Sequence, residues 1–331
     1  MIKVGVYNPD GLPESFRVCI TNICSNLQHY DCLPVITDDL SLLKECDVLW
    51  DPRAGGGHGP HEPLTELNRP LIVTLHGIGP MLYPALYSVG IRHRYNIIKA
   101  NRQKKRDWKR LHSKCSKVLT VSEYSKNVIC KNISIPKDLI EVVYNGFDKA
   151  IFNKNADNDV IINKGQPFFF HISNDEPRKN VDRIISAYEN IPAKNKWPLI
   201  LKLSSKRAID VEGIKVISNR LSDAEVANYY RSAGALVFPS IYEGFGLPIV
   251  EALACNCPVI TSRNTACEEV GKNAISLVDP FSVKDITATM KACMEEPQPL
   301  LDVDKVIQAY SWLSAAELHA KHFHNAIPLK K

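Results

Sequence analysis

Two stretches of alternating strand and helix patterns constrain the fold of this chain more than any other feature. In residues 1–150, and again in residues 165–309, short apolar runs precede segments in which apolar side chains recur at helical spacing. This alternation is typical of a parallel sheet with helices on both faces. The 331 residues of the chain suffice for two such domains. We therefore predict two doubly wound, Rossmann-like α/β domains joined by a polar linker at residues 151–166.

The positions of the predicted strands indicate where ligands bind. In open α/β sheets, ligands bind at the loops that follow the carboxyl ends of the strands. We expect the two sets of loops to face one cleft, and a last helical pattern lies near residues 303–325. The predicted strands lie at residues 2–7, 47–50, 71–75, 118–121 and 142–144 in the first domain, and at residues 168–172, 199–203, 215–217, 235–239, 259–261 and 275–278 in the second.

Composition and spacing exclude several other classes of protein. The chain is 45% apolar and 23% charged, which are globular values and exclude disordered and coiled-coil proteins. None of its ten cysteines forms a C-x-x-C pair, so zinc ribbons and thioredoxin-type sites have no support. The first residues, MIKVGVY, resemble a strand rather than a signal peptide, and uncharged residues 70–91 contain too many Pro and Gly for a membrane-spanning helix. We expect a reducing, cytoplasmic compartment.

The segment most informative about chemistry is residues 235–261, ALVFPSIYEGFGLPIVEALACNCPVIT. A strand is followed by the loop of Glu243 and two glycines, and Pro248 suits the first turn of the next helix. Backbone N–H groups at a helix N-terminus hold phosphate, and Glu251, one turn further, is placed to reach ribose hydroxyls. The pattern favours a nucleotide site, although a tight turn with two solvated glutamates would give the same residues.

Other candidate residues also follow predicted strands. Arg178 and Lys179, in HISNDEPRKN, are adjacent cations before a helix and could neutralise a diphosphate. His76 follows a strand in TLHG and could contact a hydroxyl or move a proton, and Gly11 in the first loop would allow close approach of a ligand. Residues 55–61, GGGHGPH, lack the Lys-Ser/Thr of a P-loop, so we expect a flexible loop there.

Together these segments resemble the family 4 glycosyltransferases, which are retaining enzymes of the GT-B fold. The strongest part of the match is FPSIYEGFGLPIVEAL, which looks like the E-x7-E motif of that family, with Glu243 and Glu251 as its two acids. Further blocks occur in the expected order and extend the match over most of the chain: TVSEYSKN, VYNGFD, NDEPRKN, RLSDAEVANYYRSA, EEVGKNAISLVDP and YSW.

The resemblance implies a role for each matching residue. In the family, one domain binds a nucleoside-diphosphate sugar and the other faces the acceptor. The terminal helix after Trp312, about residues 310–331, would cross back onto the first domain. The catalytic set implied here is His76, Arg178, Lys179 and Glu243. The donor-binding set implied is Gly11, Arg178, Lys179, Arg220, Leu221, Glu243, Gly244, Phe245, Gly246, Leu247 and Glu251. No cofactor is implied, and no metal, because Arg178, Lys179 and a helix N-terminus would stabilise the departing diphosphate.

The implied reaction is transfer of a sugar from a nucleoside-diphosphate sugar to a hydroxyl, with retained anomeric configuration. The EPRKN variant favours GDP-mannose as donor, with a UDP-sugar as the other choice, and a glycan or lipid-linked molecule as acceptor. This would place the enzyme in the biosynthesis of a polysaccharide or glycoconjugate. The alternative within enzymes is a sugar phosphorylase or a nucleotide-sugar-modifying enzyme on the same scaffold.

One segment supplies the excess positive charge of the chain. Residues 92–117 contain eleven Lys and Arg and one acid, so they carry +10, whereas the whole chain carries +5. We do not expect nucleic-acid binding, because only Tyr95 and Trp108 could stack on bases and no nucleic-acid motif is present.

Peripheral contact with an anionic membrane is one hypothesis for the wider stretch of residues 78–117, in which the basic segment follows an apolar loop. A helical stripe of apolar side chains adds to the pattern: Trp108, Leu111, Cys115 and Val118. The alternative is that this stripe packs on the first sheet, while the cations are solvated or serve a soluble phosphorylated acceptor.

Overall fold

A computed structural model describes residues 1–155, 160–194, 196–296 and 301–328 of the chain. The chain divides into two compact units. The first unit is Met1–Gly146 together with Tyr310–Lys331, and the second is Phe147–Ala309. Each unit contains a parallel six-stranded sheet with helices packed against it, as the alternation of strands and helices predicts.

The sheet of the first unit has the strand order β2-β1-β3-β4-β5-β6, with all neighbours parallel. Its strands are β1 Ile2–Tyr7, β2 Cys32–Thr37, β3 Val48–Ala54, β4 Leu71–Leu75, β5 Lys117–Thr120 and β6 Ile140–Val142. The helices of this unit are α1 Glu14–Leu27, α2 Leu40–Lys44, α3 Gly79–Leu82, α4 Gly90–Leu111, α5 Glu123–Asn132 and, near the end of the chain, α12 Trp312–Ala326.

The sheet of the second unit has the order β12-β11-β10-β7-β8-β9, again with all neighbours parallel. Its strands are β7 Phe169–Ser173, β8 Leu199–Leu203, β9 Ile214–Ile217, β10 Ala235–Phe238, β11 Val259–Ser262 and β12 Ser276–Val278. Its helices are α6 Val181–Glu189, α7 Asp223–Ser232, α8 Leu247–Ala254, α9 Ala266–Gly271, α10 Val283–Glu295 and α11 Val303–Gln308.

Strand β7 is a central strand of the second sheet, between β10 and β8, and this position locates the candidate site. The chain leaves the carboxyl ends of β7 and β10 into the loops that carry the residues proposed above. Strands β8 and β10 consist entirely of buried residues, and the first three residues of β7 are buried, as expected for a parallel sheet covered on both faces.

Helix α7 begins at a capping box, the pattern of Ser222 followed three residues later by Glu225. The Ser222 side chain accepts a hydrogen bond from the backbone N–H of Glu225, and the Glu225 side chain accepts one from the backbone N–H of Ser222. These bonds satisfy N–H groups that a helix N-terminus otherwise leaves open. Helix α7 is therefore fixed at the end that follows Arg220 and Leu221.

Two segments outside the sheets differ from the sequence prediction. The polar segment 151–166 is not simply a linker, because its first residues pack on the second unit. The Phe152 side chain is buried beside the Tyr230 ring, and the Asn153 carbonyl accepts a hydrogen bond from Arg231. The helical pattern near 303–325 comprises two helices, since Ser311 caps a new N-terminus by accepting a bond from the backbone N–H of Ser314.

The apolar stripe on the basic segment packs inward. Trp108 and Val118 are fully buried, and Leu111 and Cys115 are nearly so. Trp108, Cys115 and Val118 belong to the core of the first unit, together with residues of β3 and β4. The idea that this stripe meets a membrane is therefore wrong, and the alternative reading, that it packs on the sheet, is correct.

Candidate functional site

Three residues proposed from separate parts of the sequence form one ion-pair cluster in the second unit. Arg178 and Lys179 follow β7, and Glu243 follows β10. Nη1 of Arg178 lies 2.9 Å from Oε2 of Glu243, and Nζ of Lys179 lies 2.7 Å from Oε1. All three side chains are largely buried, so these contacts are poorly screened by solvent. The cluster carries two positive charges and one negative charge.

The cluster is built by backbone geometry at the ends of the two strands. After β7, Asn180 adopts a left-handed conformation (φ 68°), and its side-chain amide donates to the carbonyls of Pro239 and Pro280 at 2.9 and 2.6 Å. The backbone N–H of Ile241 donates to the carbonyl of Arg178 at 2.8 Å. These bonds tie the loop after β7 to the loop after β10, so the cations and the carboxylate are brought together by the scaffold.

The cations determine the ionisation of Glu243. Burial alone would raise its pKa, but the charges of Lys179 and Arg178, with a hydrogen bond from Lys179, lower the pKa to about 2. Glu243 is therefore ionised at neutral pH, and both of its oxygens already accept hydrogen bonds from the cations. The carboxylate is better placed to hold Arg178 and Lys179 than to attack a ligand.

The loop between Glu243 and α8 contains the glycine that the predicted phosphate contact requires. Gly246 adopts a φ of 109°, a conformation that residues with a side chain rarely adopt, and it directly precedes α8. Pro248 lies in the first turn of α8, as predicted from sequence. Gly244 and Phe245 complete this loop, and Leu247 is the first residue of α8.

Glu251 occupies a different environment from Glu243. Its carboxyl accepts a hydrogen bond from the hydroxyl of Tyr230 on α7 at 3.2 Å. Burial raises the pKa of Glu251 to about 7; the Tyr230 bond acts in the opposite direction, and the charge of Asp223 raises it further. Glu251 thus changes ionisation near neutral pH, whereas Glu243 does not.

The remaining donor-site candidates of the second unit lie just before α7. Arg220 is exposed and Leu221 is partly buried, in the segment between β9 and the capping box. Because Tyr230 lies on the same helix, α7 connects this segment to Glu251. Tyr230 was not among the site residues proposed from sequence, since a hydroxyl on a core tyrosine leaves no pattern of its own.

Two predicted residues belong to the first unit. Gly11 lies in an exposed turn with a φ of 79°, and a Cβ there would meet open space, so its conformation rather than crowding requires glycine. His76 follows β4, its ring stacks on Phe16 with centroids 4.2 Å apart, and its Nε2 lies 2.7 Å from the carbonyl oxygen of Pro52.

The contacts of His76 fix its protonation. A carbonyl oxygen can only accept, so Nε2 carries the proton and donates to Pro52, which leaves Nδ1 as an acceptor. Burial lowers the pKa of His76 to about 4, so the ring is neutral at pH 7. His76 can therefore accept a hydrogen bond from a ligand hydroxyl through Nδ1.

Among the described residues, no group of three or more His, Cys, Asp or Glu side chains is arranged to hold a metal ion. Within the same residues, none of the helices has both the length and the apolar character of a membrane span.

Comparisons with known proteins cover both units. Residues 20–150 match the model of Glycosyltransferase Family 4, and residues 152–309 match that of Glycosyl transferases group 1. The O-antigen chain mannosyltransferase B of Escherichia coli is 26% identical over 256 residues, which are 72% of this chain and 65% of that protein. The MMP alpha-(1->4)-mannosyltransferase of Mycolicibacterium hassiacum is 28% identical over 236 residues, 66% of this chain and 56% of that protein. The matches thus span less than two thirds of these relatives.

Solved structures support the fold. The crystal structure of Anabaena HepE in complex with UDP and glucose is similar with a TM-score of 0.72 at 16% identity, covering 98% of this chain and 100% of that one. The sucrose-phosphate synthase of Thermosynechococcus elongatus is similar with a TM-score of 0.74 at 13% identity, covering 98% and 99%. The two parallel sheets are thus those of the GT-B fold, and the chain belongs to the family 4, group 1 glycosyltransferases.

Proposed function

We propose that this glycosyltransferase transfers a mannosyl residue from GDP-mannose to a hydroxyl of a glycan or lipid-linked acceptor, with retention of anomeric configuration. The observation that carries the proposal is the cluster of Arg178, Lys179 and Glu243 at the ends of β7 and β10. Its two cations suit the charge of a diphosphate. The choice of mannose is supported by relatives named as mannosyltransferases, and a UDP-sugar is the second candidate donor.

The cluster supplies what departure of a diphosphate requires. As the bond from the sugar to the diphosphate breaks, negative charge grows on the leaving oxygen, and preorganised cations stabilise that charge. Arg178 is already positioned by Glu176 and Glu243, and Lys179 by Glu243. Because both oxygens of Glu243 are occupied, we assign deprotonation of the acceptor to the leaving phosphate rather than to this carboxylate.

The other residues would bind the ends of the donor. Glu251 would accept hydrogen bonds from ribose hydroxyls, and Arg220 and Leu221 would border the nucleobase. His76 would accept a bond from a sugar or acceptor hydroxyl through Nδ1, consistent with its neutral state. Gly11 would allow close approach of the ligand.

The reaction would need no metal, because Arg178 and Lys179 provide the charge that a divalent cation would otherwise supply. Dialysis of the enzyme against EDTA should leave its turnover rate unchanged. A loss of activity that Mg²⁺ or Mn²⁺ restores would contradict metal independence without affecting the assignment of Arg178 and Lys179.

We also propose that the first unit contacts an anionic membrane surface. The buried stripe of Trp108 no longer supports this contact, so the proposal rests on other residues of the same segment. Three apolar side chains at the start of α4 are strongly exposed: Val89 (88%), Ile91 (90%) and Tyr95 (63%). Exposed cations follow them on the same helix, including Lys105 and Arg106. Exposed apolar side chains next to cations are typical of peripheral contact, and each cation near the surface contributes about 1 kcal/mol.

Vesicle co-sedimentation tests the membrane contact. The protein should sediment with anionic vesicles at low salt, remain in solution at high salt, and bind less well after Ile91→Ser or after Lys105 and Arg106 are both replaced by Gln. Equal recovery in the supernatant with neutral and anionic vesicles at low salt would contradict the contact and favour a soluble acceptor.

A panel of nucleotide sugars tests the proposed donor. Release of nucleoside diphosphate should be fastest with GDP-mannose, and the product of transfer should show the α-configuration of the donor in its NMR spectrum. Inorganic phosphate should not accelerate donor consumption. Acceleration would indicate a phosphorylase, which uses phosphate as a substrate. Preference for a UDP-sugar would overturn the choice of donor, and an inverted product would overturn retention.

A further inference from the structure

The glycine-rich residues 55–61, GGGHGPH, form part of a second polar site, in the first unit. Nε1 of Trp108 donates to the carbonyls of Gly57 and His58 at 3.2 and 3.1 Å, and Nζ of Lys104 donates to the carbonyl of Gly56 at 2.8 Å. Both donors lie on α4. The expected flexible loop is therefore tied to a long helix, and it forms a wall of defined shape after β3.

A cavity of about 170 Å³ lies against this wall. Its polar lining comes from the side chains of Arg53, His58, His61, Glu62 and Asp107. This volume is far more than one water molecule or metal ion requires. The cavity can therefore hold a group of several heavy atoms.

An ion pair and a ring contact place Arg53 at this cavity. The Asp51 carboxylate is fully buried; one oxygen lies 3.2 Å from Nε of Arg53, and the other accepts a bond from the backbone N–H of His61 at 2.8 Å. The guanidinium lies over the Tyr7 ring, whose face also stacks on the His61 ring at 4.5 Å. Within the described chain, the buried Nε of Arg53 has no hydrogen-bond partner, and none is recorded for its two terminal nitrogens, so the guanidinium retains open donor groups.

The charges around the cavity balance. Arg53 is paired with Asp51, and Glu62 is paired with Arg110 at 2.5 Å. On α4, Oδ1 of Asp107 lies 3.9 Å from Nη2 of the same Arg110 and accepts a hydrogen bond from Gln103 at 2.9 Å, and Lys104 supplies a further positive charge. An anionic ligand would face the carboxylates of Glu62 and Asp107, and a cationic ligand would face the Arg53 guanidinium.

The two histidines add donors and acceptors without adding charge. Burial lowers the pKa of His58 and of His61, and the positive charges of Lys104 at His58 and of Arg53 at both rings lower it further, although Asp107 acts in the opposite direction at His58. Both rings are therefore neutral at pH 7, and each offers one donor and one acceptor nitrogen. Open donors, carboxylate acceptors and zero net charge together suit a neutral ligand rich in hydroxyl groups.

We propose that the cavity bounded by Arg53, His61 and Asp107 binds one sugar residue of the acceptor, which makes the acceptor a glycan at this point. The proposal rests on the glycosyltransferase function proposed above and adds the chemical class of the group recognised by the first unit. Arg53 would donate to adjacent sugar hydroxyls through its fork, and Asp107 would accept from another.

The imidazole signals of His58 and His61 provide a direct readout. We would titrate the full chain with methyl α-mannoside, methyl α-glucoside and methyl α-galactoside, and separately with inorganic phosphate, and record ¹H–¹³C spectra of the histidine rings. Each signal is assigned with a His58→Gln or His61→Gln variant. At least one glycoside should shift both rings in a saturable manner, and phosphate should not.

The variants are chosen to preserve the fold. Arg53→Gln alone would leave the buried Asp51 unpaired, so it is combined with Asp51→Asn; Asp107→Asn is an independent change at the cavity wall. Each should weaken glycoside binding about tenfold, the size expected for loss of a hydrogen bond to a charged group. Lys109→Gln is the matched control, because Lys109 is exposed on α4 and does not line the cavity; it should bind as the parent does.

The outcomes separate this proposal from the proposed function. Saturable glycoside shifts that weaken in both variants support the sugar site. Absence of shifts with every glycoside, or shifts with phosphate alone, overturns it. Binding of GDP, followed in the same samples by calorimetry, reports on the second unit: GDP binding without glycoside binding leaves the proposed function standing, whereas failure of GDP and UDP to bind would remove the proposed function itself.

Discussion

The Tyr230 hydroxyl donates a hydrogen bond to Oε2 of Glu251 at 3.2 Å, and this bond joins α7 to α8 in the second unit. Tyr230 is fully buried, with its ring beside those of Phe152 and Phe170 at centroid distances of 6.2 and 5.7 Å. The packed ring leaves the hydroxyl little freedom. Tyr230 therefore fixes the orientation of the carboxyl that we propose as the ribose ligand.

Removal of the Glu251 carboxylate should weaken nucleotide binding. Glu251→Gln keeps the shape but loses a charged acceptor, so GDP and GDP-mannose should both bind more weakly by about 1.5–3 kcal/mol. Calorimetry measures both affinities. Glu212→Gln is the matched control, because Glu212 is an exposed glutamate of the same unit. Unchanged affinity in a folded Glu251→Gln protein would remove Glu251 from the site.

The affinity for GDP-mannose should rise with pH between about 6 and 8. Burial raises the pKa of Glu251 to about 7, so the carboxylate that accepts ribose hydroxyls forms only as pH rises through that value. GDP-mannose is the right probe because its diphosphate is esterified at both ends, whereas a terminal phosphate titrates near pH 6. The same titration of Glu251→Gln should be flat, and a pH dependence retained in that variant would assign the titration to another group.

Tyr230→Phe should move this pH dependence upward. The hydrogen bond from Tyr230 lowers the pKa of Glu251, so its loss leaves a higher pKa and less carboxylate at pH 7. The variant should bind GDP-mannose more weakly than the parent at pH 7, and the difference should shrink at higher pH. Tyr229→Phe is the control, because Tyr229 stacks on Phe170. Equal loss of affinity at every pH would indicate a purely structural role for Tyr230.

Replacement of Glu243 should destabilise the second unit in a pH-dependent way. Although burial raises it, the pKa of Glu243 falls from 4.5 to about 2 in the folded protein because of Lys179 and Arg178. A lowered carboxyl pKa stabilises the fold above pH 4.5, and this stabilisation is lost as pH falls toward 2. Glu243→Gln should therefore cost about 3 kcal/mol at pH 7 and much less near pH 3.

Hydrogen exchange of amides in β7 and β10 measures this effect in the second unit alone, since these strands flank the cluster. The N-terminus of α7 is capped by Ser222 and Glu225 and does not depend on Glu243. Protection of the first turn of α7 therefore serves as an internal reference. An equal loss of protection in β7 and β10 at pH 7 and pH 3 would contradict the electrostatic explanation.

The sequence was sufficient for the architecture because strand–helix alternation is a local property. Strand β2 was nevertheless missed: Pro34 interrupts its pattern, and Leu33 and Ile36 are 39% and 48% exposed. Pro34 is tolerated because β2 is an edge strand. Edge strands lack the continuous apolar run that marks β7 or β10, and the sequence therefore gives a weaker signal for them.

The sequence predicted which residues belong to the candidate site, but not which of their side chains contact one another. Glu243 and Lys179 are separated by 64 positions, so no local pattern could show that they form an ion pair at 2.7 Å. The stripe containing Trp108 shows a second limit of sequence-based prediction. Its helical spacing shows that one face is apolar, but only the packing on β3 and β4 shows which surface covers that face.

The rate of GDP-mannose turnover by Lys179→Gln is the most direct test of the central claim that the Arg178–Lys179–Glu243 cluster stabilises a departing diphosphate. Loss of one preorganised donor should lower kcat about 10²-fold, beyond any change in KM. Lys215→Gln, an exposed lysine on β9, is the matched control and should retain the parental rate. A folded Lys179→Gln enzyme with an unchanged kcat would contradict the account.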